Sequence, residues 1–126
     1  MRIFKNAWFS RFAAKERITD DCLGDAVRRA ENGLIDADLG GNVIKQRVAR
    51  QGQGKSGGYR TLILFWAGSR AFFTFGFAKN DQDNISKADL KILKEAAKER
   101  HTWTDEQLDR LVADGVLEEI RDDEKP

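Results

Sequence analysis

Seven cationic side chains, Lys45, Arg47, Arg50, Lys55, Arg60, Arg70 and Lys79, fall within residues 42–79, a span that contains no Asp or Glu. Residues 1–41 are balanced, with seven basic and seven acidic groups, and residues 80–126 carry eight basic against fourteen acidic. The formal net charge of +1 therefore conceals a basic centre beside an acidic end. An ordinary solvated face mixes signs. A long acid-free stretch suits a polyanion instead, since charge supplies affinity and guanidinium groups grip phosphate bidentately. Tyr59, beside Arg60, supplies a ring on which an unpaired base can stack. Read from the residues alone, the segment binds an anionic partner such as RNA, and a merely solvated basic face remains the other reading.

These side chains must be held by a sheet. Val43 to Arg50 alternates loosely, placing Lys45 and Arg47 on one face as i and i+2 neighbours. Gly52 to Gly58 reads as a flexible, glycine-rich basic loop, able to act as a flap over RNA. Its Gly54-Lys55-Ser56 core does not make a P-loop: the spacing GxxxxGK[ST] needs glycine at position 49, which is Ala49, and the segment that follows is strand-like. Tyr59 to Trp66 is a β-prone run suited to a buried central strand. Residues 67–70 form a turn, and Ala71 to Ala78 form the next strand, with Phe73, Phe75 and Phe77 expected on one face. The three strands predict an antiparallel meander. If helices cover one face, the other is free for the cations: Lys45 and Arg47 from one strand, Arg60 from the next, Lys79 at the end of the last.

Arg2 to Lys5 reads as a first short strand. Asn6 caps a short helix bearing Trp8, Phe12 and Ala13. Thr19 caps a longer one, with Leu23, Ala26, Val27, Ala30 and Leu34 at helical spacing and Gly33 as its stop. Ser86 with Asp89, and Thr104 with Gln107, open two more helices, and Trp103 has the position of a hydrophobic staple. The order β-α-α-β-β-β-α-α is an α+β fold. At 126 residues the chain is expected to be a single domain, with about 102–126 as a helical extension and charged tail. One cysteine, Cys22, excludes an internal disulfide and a Cys-rich zinc site, and points to reducing cytosol. The longest apolar run, Leu62 to Ala67, is far too short for a membrane span. His101 reads as a surface residue at a helix C-terminus.

Three blocks together carry a family resemblance: Lys45-Gln46-Arg47-Val48-Ala49-Arg50, Gly54-Lys55-Ser56-Gly57-Gly58-Tyr59-Arg60, and Phe75-Gly76-Phe77-Ala78-Lys79. In this combination and element order the chain resembles a RelE-type toxin of bacterial toxin–antitoxin modules, over roughly residues 2–120. The resemblance implies a RelE-like fold, with an antiparallel sheet of about four strands, and a cytoplasmic endoribonuclease that cuts mRNA, in most members on the ribosome, and so inhibits translation. It also implies a cognate antitoxin with a helix-turn-helix domain, no membrane, and no metal or other cofactor, since the attacking 2′-hydroxyl is internal to the substrate. Matched position by position, it implies Lys45 as general base, Arg47 as phosphate ligand, Arg60 as stabiliser of the transition-state charge, and Lys79 as acid or electrostatic stabiliser. Arg50, Lys55, Tyr59 and Arg70 would extend the RNA-binding surface. A lysine base must have its pKa lowered from about 10.4 toward neutrality, and crowding by Arg47 and Arg60 without nearby acids has the required sign. The Tyr or His that relatives often carry before the last helix is absent: the stretch here is Asp81-Gln82-Asp83-Asn84. Two alternatives stay open on the same fold, a ParE-like inhibitor of DNA gyrase and a non-catalytic RNA- or protein-binding module.

Overall fold

A computed structural model describes residues 1–50, 54–78 and 85–120, without the side chains of residues 50 and 54–57. In chain order it contains β1 (Arg2–Asn6), α1 (Ala7–Glu16), α2 (Asp20–Glu31), β2 (Ala37–Asp38), β3 (Val43–Arg50), β4 (Gly54–Trp66), β5 (Arg70–Ala78), α3 (Lys87–His101), α4 (Asp105–Ala113) and β6 (Leu117–Ile120). The helix starts follow local chemistry. Asn6 accepts the Phe9 N–H at 2.8 Å, Thr19 that of Cys22 at 3.2 Å and Ser86 that of Asp89 at 3.1 Å, while Thr104 and Gln107 complete a reciprocal capping box. Helix α2 stops at Glu31, so Leu34 is not on its buried stripe; it is one of the most exposed apolar residues.

The fold is α+β, but among the described residues its sheet has six strands, in the order β2-β3-β4-β5-β1-β6. The expected meander β3-β4-β5 is present and antiparallel. The sheet as a whole is mixed rather than antiparallel, because β1 lies parallel to β5, from Arg2 beside Arg70 to Lys5 beside Phe73. Two short strands, β2 and β6, extend the edges. The expected glycine loop is largely strand: β4 begins at Gly54, which pairs with Arg50.

Helices α1 and α2 bury Phe9, Leu23, Val27 and Ala30 against Ile3, Ile44, Ile63 and Phe73. The opposite face is not free. There Phe4, Val43, Leu64 and Phe72 meet Ala97 of α3, Leu108 of α4 and Leu117, with Trp103 packed at the rim. The expected one-sided sheet is thus covered on both sides, the second cover reaching over only part of the face. A bulge in β5 further corrects the expected aromatic face. Ile63 pairs with Phe73 and Leu62 with Phe75, leaving Thr74 as the extra residue, its hydroxyl donating to the Leu62 carbonyl at 2.8 Å. Phe73 therefore faces α1, whereas Phe75 and Phe77 face the other way.

Two polar devices tie these layers. The fully buried Gln46 amide donates to the carbonyls of Ala26 (3.0 Å) and Leu34 (2.9 Å), and its oxygen accepts the Asp36 N–H at 3.0 Å. Lys5, only 7% exposed, reaches Asp20 and Glu118, each at 3.2 Å, and so joins β1 to α2 and β6. Ser10 donates to Glu118 as well, at 3.0 Å, and this bond, aided by Lys5, holds the Glu118 carboxyl below its ordinary pKa against the opposing pull of desolvation.

Gln46→Leu is expected to cost about 2–3 kcal/mol, because it strands the buried Ala26 carbonyl and removes the partners of the half-buried Leu34 carbonyl and Asp36 N–H; urea unfolding measures it. For Glu118, a depressed folded-state pKa adds stability above the unfolded value and loses it as pH falls toward the folded one. Glu118→Gln should therefore melt lower than wild type at neutral pH, and the gap should close below about pH 4.3. A gap that is constant with pH would remove the ion-pair account.

Candidate nucleic-acid interface

Strand β3 leaves the sheet only partly covered on its outer side, since β2 pairs with Ile44 and Lys45 alone. The main chain of Arg47 would be an open edge there. Two side chains close it instead: Asp36 accepts the Arg47 N–H at 2.6 Å, and Arg29 donates to the Arg47 carbonyl at 2.6 Å. Both backbone groups of Arg47 thus point away from β4. Its pairing with Arg60 is consequently the non-hydrogen-bonded kind, with Cα atoms about 4.5 Å apart and side chains at their closest. Two arginines stand directly opposite each other on one face, an arrangement that destabilises a sheet unless an anion joins them.

Lys45 lies two residues along β3, about 7 Å away on the same face, opposite Leu62. That face is the one whose far half, at Val43, Leu64 and Phe72, is covered by α3 and α4. Lys45 and Arg60 are half-buried and Arg47 is exposed. Phe77 stands opposite Arg60 on the other side, and its ring lies 6.1 Å from that of Phe75. The site is therefore a short basic strip with an aromatic flank, on the half-face beyond the helices. An acid does stand at its edge: the Asp36 carboxylate lies 4.0 Å from Nε of Arg47. Counting charges over residues 42–79 could not see it, because Asp36 arrives from the preceding loop.

The structure brings together Lys45, Arg47 and Arg60. It separates the other expected residues. Tyr59 is on the opposite face, 2% exposed, edge-on to Phe12 at 5.6 Å and donating to Glu16 at 2.8 Å. It is core and cannot stack a base. Arg70 sits at the far end of the sheet, where it donates to the carbonyls of Trp103 (2.7 Å) and Arg100 (3.4 Å) at the C-terminus of α3. Its role is structural. Arg50 and Lys55 lie on neighbouring ends of β3 and β4, and their side chains, like Lys79 and Asn84, lie outside the described residues. His101 is exposed at the end of α3, stacked on Trp66 at 5.8 Å.

Fold and site together define a small α+β protein with a basic strip on one half of a sheet face. Compared with models of known families, the chain matches the one described as the RelE toxin of the RelE / RelB toxin–antitoxin system, over residues 1–120. It belongs to the RelE toxin family, whose members are toxins paired with a cognate antitoxin. No curated protein matches it. Among the described residues, no helix is long and apolar enough to cross a membrane.

The separation of site from core has a direct test. Tyr59→Ala should destabilise the fold by about 3–4 kcal/mol through the cavity it leaves, whereas Arg60→Ala should cost under about 1 kcal/mol. Urea unfolding of both variants checks it; a severely unfolded Arg60→Ala would make Arg60 a structural residue.

Proposed function

We propose that this toxin is an endoribonuclease that cleaves mRNA in the cytoplasm, with the ribosome as the setting that presents the strand, and that an antitoxin carrying a helix-turn-helix domain restrains it. The observation that carries the reading is the directly opposed Arg47–Arg60 pair with Lys45 on the same face. Juxtaposed cations on a sheet are a standing cost that a phosphate between them turns into a gain.

The reaction assigned to these residues is the one the family resemblance implies. Lys45 takes the proton of the 2′-hydroxyl, and the freed oxygen attacks the adjacent phosphorus. The new O2′–P bond forms as the P–O5′ bond breaks, leaving a 2′,3′-cyclic phosphate and a 5′-hydroxyl. Arg47 holds the phosphate in line. Arg60 stabilises the extra charge on the phosphorane, where a preorganised cation has its greatest effect. The departing O5′ must receive a proton, and Lys79, the next residue in sequence after β5, is the proposed donor. No step requires a metal, because the nucleophile belongs to the substrate.

Expression of the wild-type chain should arrest growth and create new 5′ ends in mRNA, read by primer extension. Lys45→Ala and Arg60→Ala should each lower cleavage by about 100-fold or more while the protein stays folded. Growth arrest with intact mRNA and an induced DNA-damage response would replace this reading with gyrase inhibition.

A further inference from the structure

A second basic feature lies outside the strip. Lys91, Lys94 and Lys98 recur at i, i+3 and i+7 along α3 and share one side of that helix. They line a cleft of about 580 Å³ between α3 and the turn that leads into β3. Among the described residues Glu95 is the one acid on its wall, and none of the three lysines has a carboxylate within 4.0 Å. Three cations on one helix face without partners repel one another, and an incoming anion relieves that repulsion.

The turn is built around one of these lysines, Lys94. Gly40, Gly41 and Asn42 all adopt positive φ, at 85°, 59° and 66°. A Cβ on Gly41 would stand 2.9 Å from Cγ of Lys94, so only glycine lets the turn close on the lysine stem. Asn42, strained for a residue with a side chain, is held by its amide, which donates to the Phe65 carbonyl at 3.0 Å. At the end of the cleft the His101 ring lies nearly parallel to Trp66, with centroids 5.8 Å apart and planes 23° apart. His101 is exposed, so its outer face offers a flat ring to a base.

The cleft and the strip lie along the same strand. Asn42 lines the cleft and immediately precedes β3, whose Lys45 and Arg47 belong to the strip. From Asn42 to Arg47 the strand spans about 17 Å, a reach of a few nucleotides. We propose that this cleft is a second binding site for the single-stranded RNA that the strip engages, with Lys91, Lys94 and Lys98 on its phosphates and the His101–Trp66 stack under one of its bases. The inference rests on the RNA-cleaving reading of the strip. Phosphate explains the unpaired cations, and the stacked rings distinguish a nucleic-acid strand from an acidic protein, which has no use for a flat platform.

Fluorescence anisotropy with a labelled, uncleavable 2′-O-methyl RNA oligonucleotide tests it on the whole chain, between about 50 and about 200 mM salt. Replacing the cations by Lys91→Gln, Lys94→Met and Lys98→Gln together should flatten the slope of log affinity against log salt by about 2, at roughly 0.7 per lost phosphate contact. Methionine keeps the Lys94 stem against Gly41, and Lys91→Gln with Lys98→Gln alone, which leaves Lys94 in place, should flatten it by about 1.4. His101→Ala should weaken binding about fivefold with the slope unchanged. An unchanged slope in the folded triple variant overturns the inference, as does competition by poly-glutamate that is as strong as competition by RNA. Absence of RNA binding by the wild-type chain overturns it too, while primer extension continues to judge cleavage separately. If Arg47→Ala with Arg60→Ala leaves affinity untouched and the triple variant loses it, the strip reading falls and the proposal of a second site on a shared strand falls with it, the cleft alone holding the RNA.

Discussion

The direction in which β3 faces is decided by one buried amide. Side chains along a strand alternate with a period of two, so a slip of one residue would carry Lys45 and Arg47 into the core and bring Gln46 out. Gln46 prevents this because its three polar contacts, to α2, to the Leu34 carbonyl and to the Asp36 N–H, exist only when it points inward. A leucine in its place would bury more comfortably but would not mark the register. The same amide anchors the backbone at Asp36, and Asp36 in turn anchors the main chain of Arg47. Orientation of the basic strip is thus set by a short polar chain that starts in the core and ends at the site.

A sheet covered on both faces ought to leave no room for a site on either. The resolution is that α3 and α4 shield only the half of their face that contains Val43, Leu64 and Phe72. Their placement is electrostatic as well as apolar. Arg70 holds the end of α3 by the Arg100 carbonyl and the turn after it by the Trp103 carbonyl. Arg2, on β1, binds Glu119 of β6 through two hydrogen bonds and reaches Asp105 and Asp109 of α4, and the bond to Glu119 foremost raises its pKa above the ordinary arginine value. These contacts gather the acidic C-terminal residues at the far end of the molecule. Asp105, Asp109 and Glu119 are thus engaged by Arg2, and Glu118 by Lys5, rather than by the cations of the strip.

How much of this was legible in the sequence depends on range. Asn6, Thr19, Ser86 and Thr104 marked helix starts correctly because a cap is made within three residues. The Lys45–Arg47 face was legible because alternation is local too. The short strands β2 and β6 were not: β6 has four residues and earns its place by pairing with β1, more than a hundred positions away. The Thr74 bulge is equally silent, being an event of pairing rather than composition, and it sends Phe73 to the face opposite Phe75 and Phe77. Tyr59 shows the same limit on the other side of the sheet. Its neighbour Arg60 faces the strip, so Tyr59 must face the helices, a consequence that follows from alternation once the face of Arg60 is known.

Asp36 bears on the chemistry in a way that a tally of charges misses. An acid beside a phosphate site would ordinarily weaken it, yet the contact with Nε of Arg47 is long, at 4.0 Å, and Arg47 is 47% exposed along its side chain. The stronger interaction, at 2.6 Å, is with the Arg47 main-chain N–H. Asp36 therefore fixes the strand more firmly than it neutralises the guanidinium. Water screens what remains of the ion pair, so the head group can turn from Asp36 to a phosphate at little cost. Preorganisation of this kind, a rigid backbone with a lightly tethered cation opposite a second one, suits a site whose strongest demand comes when charge accumulates on phosphorus.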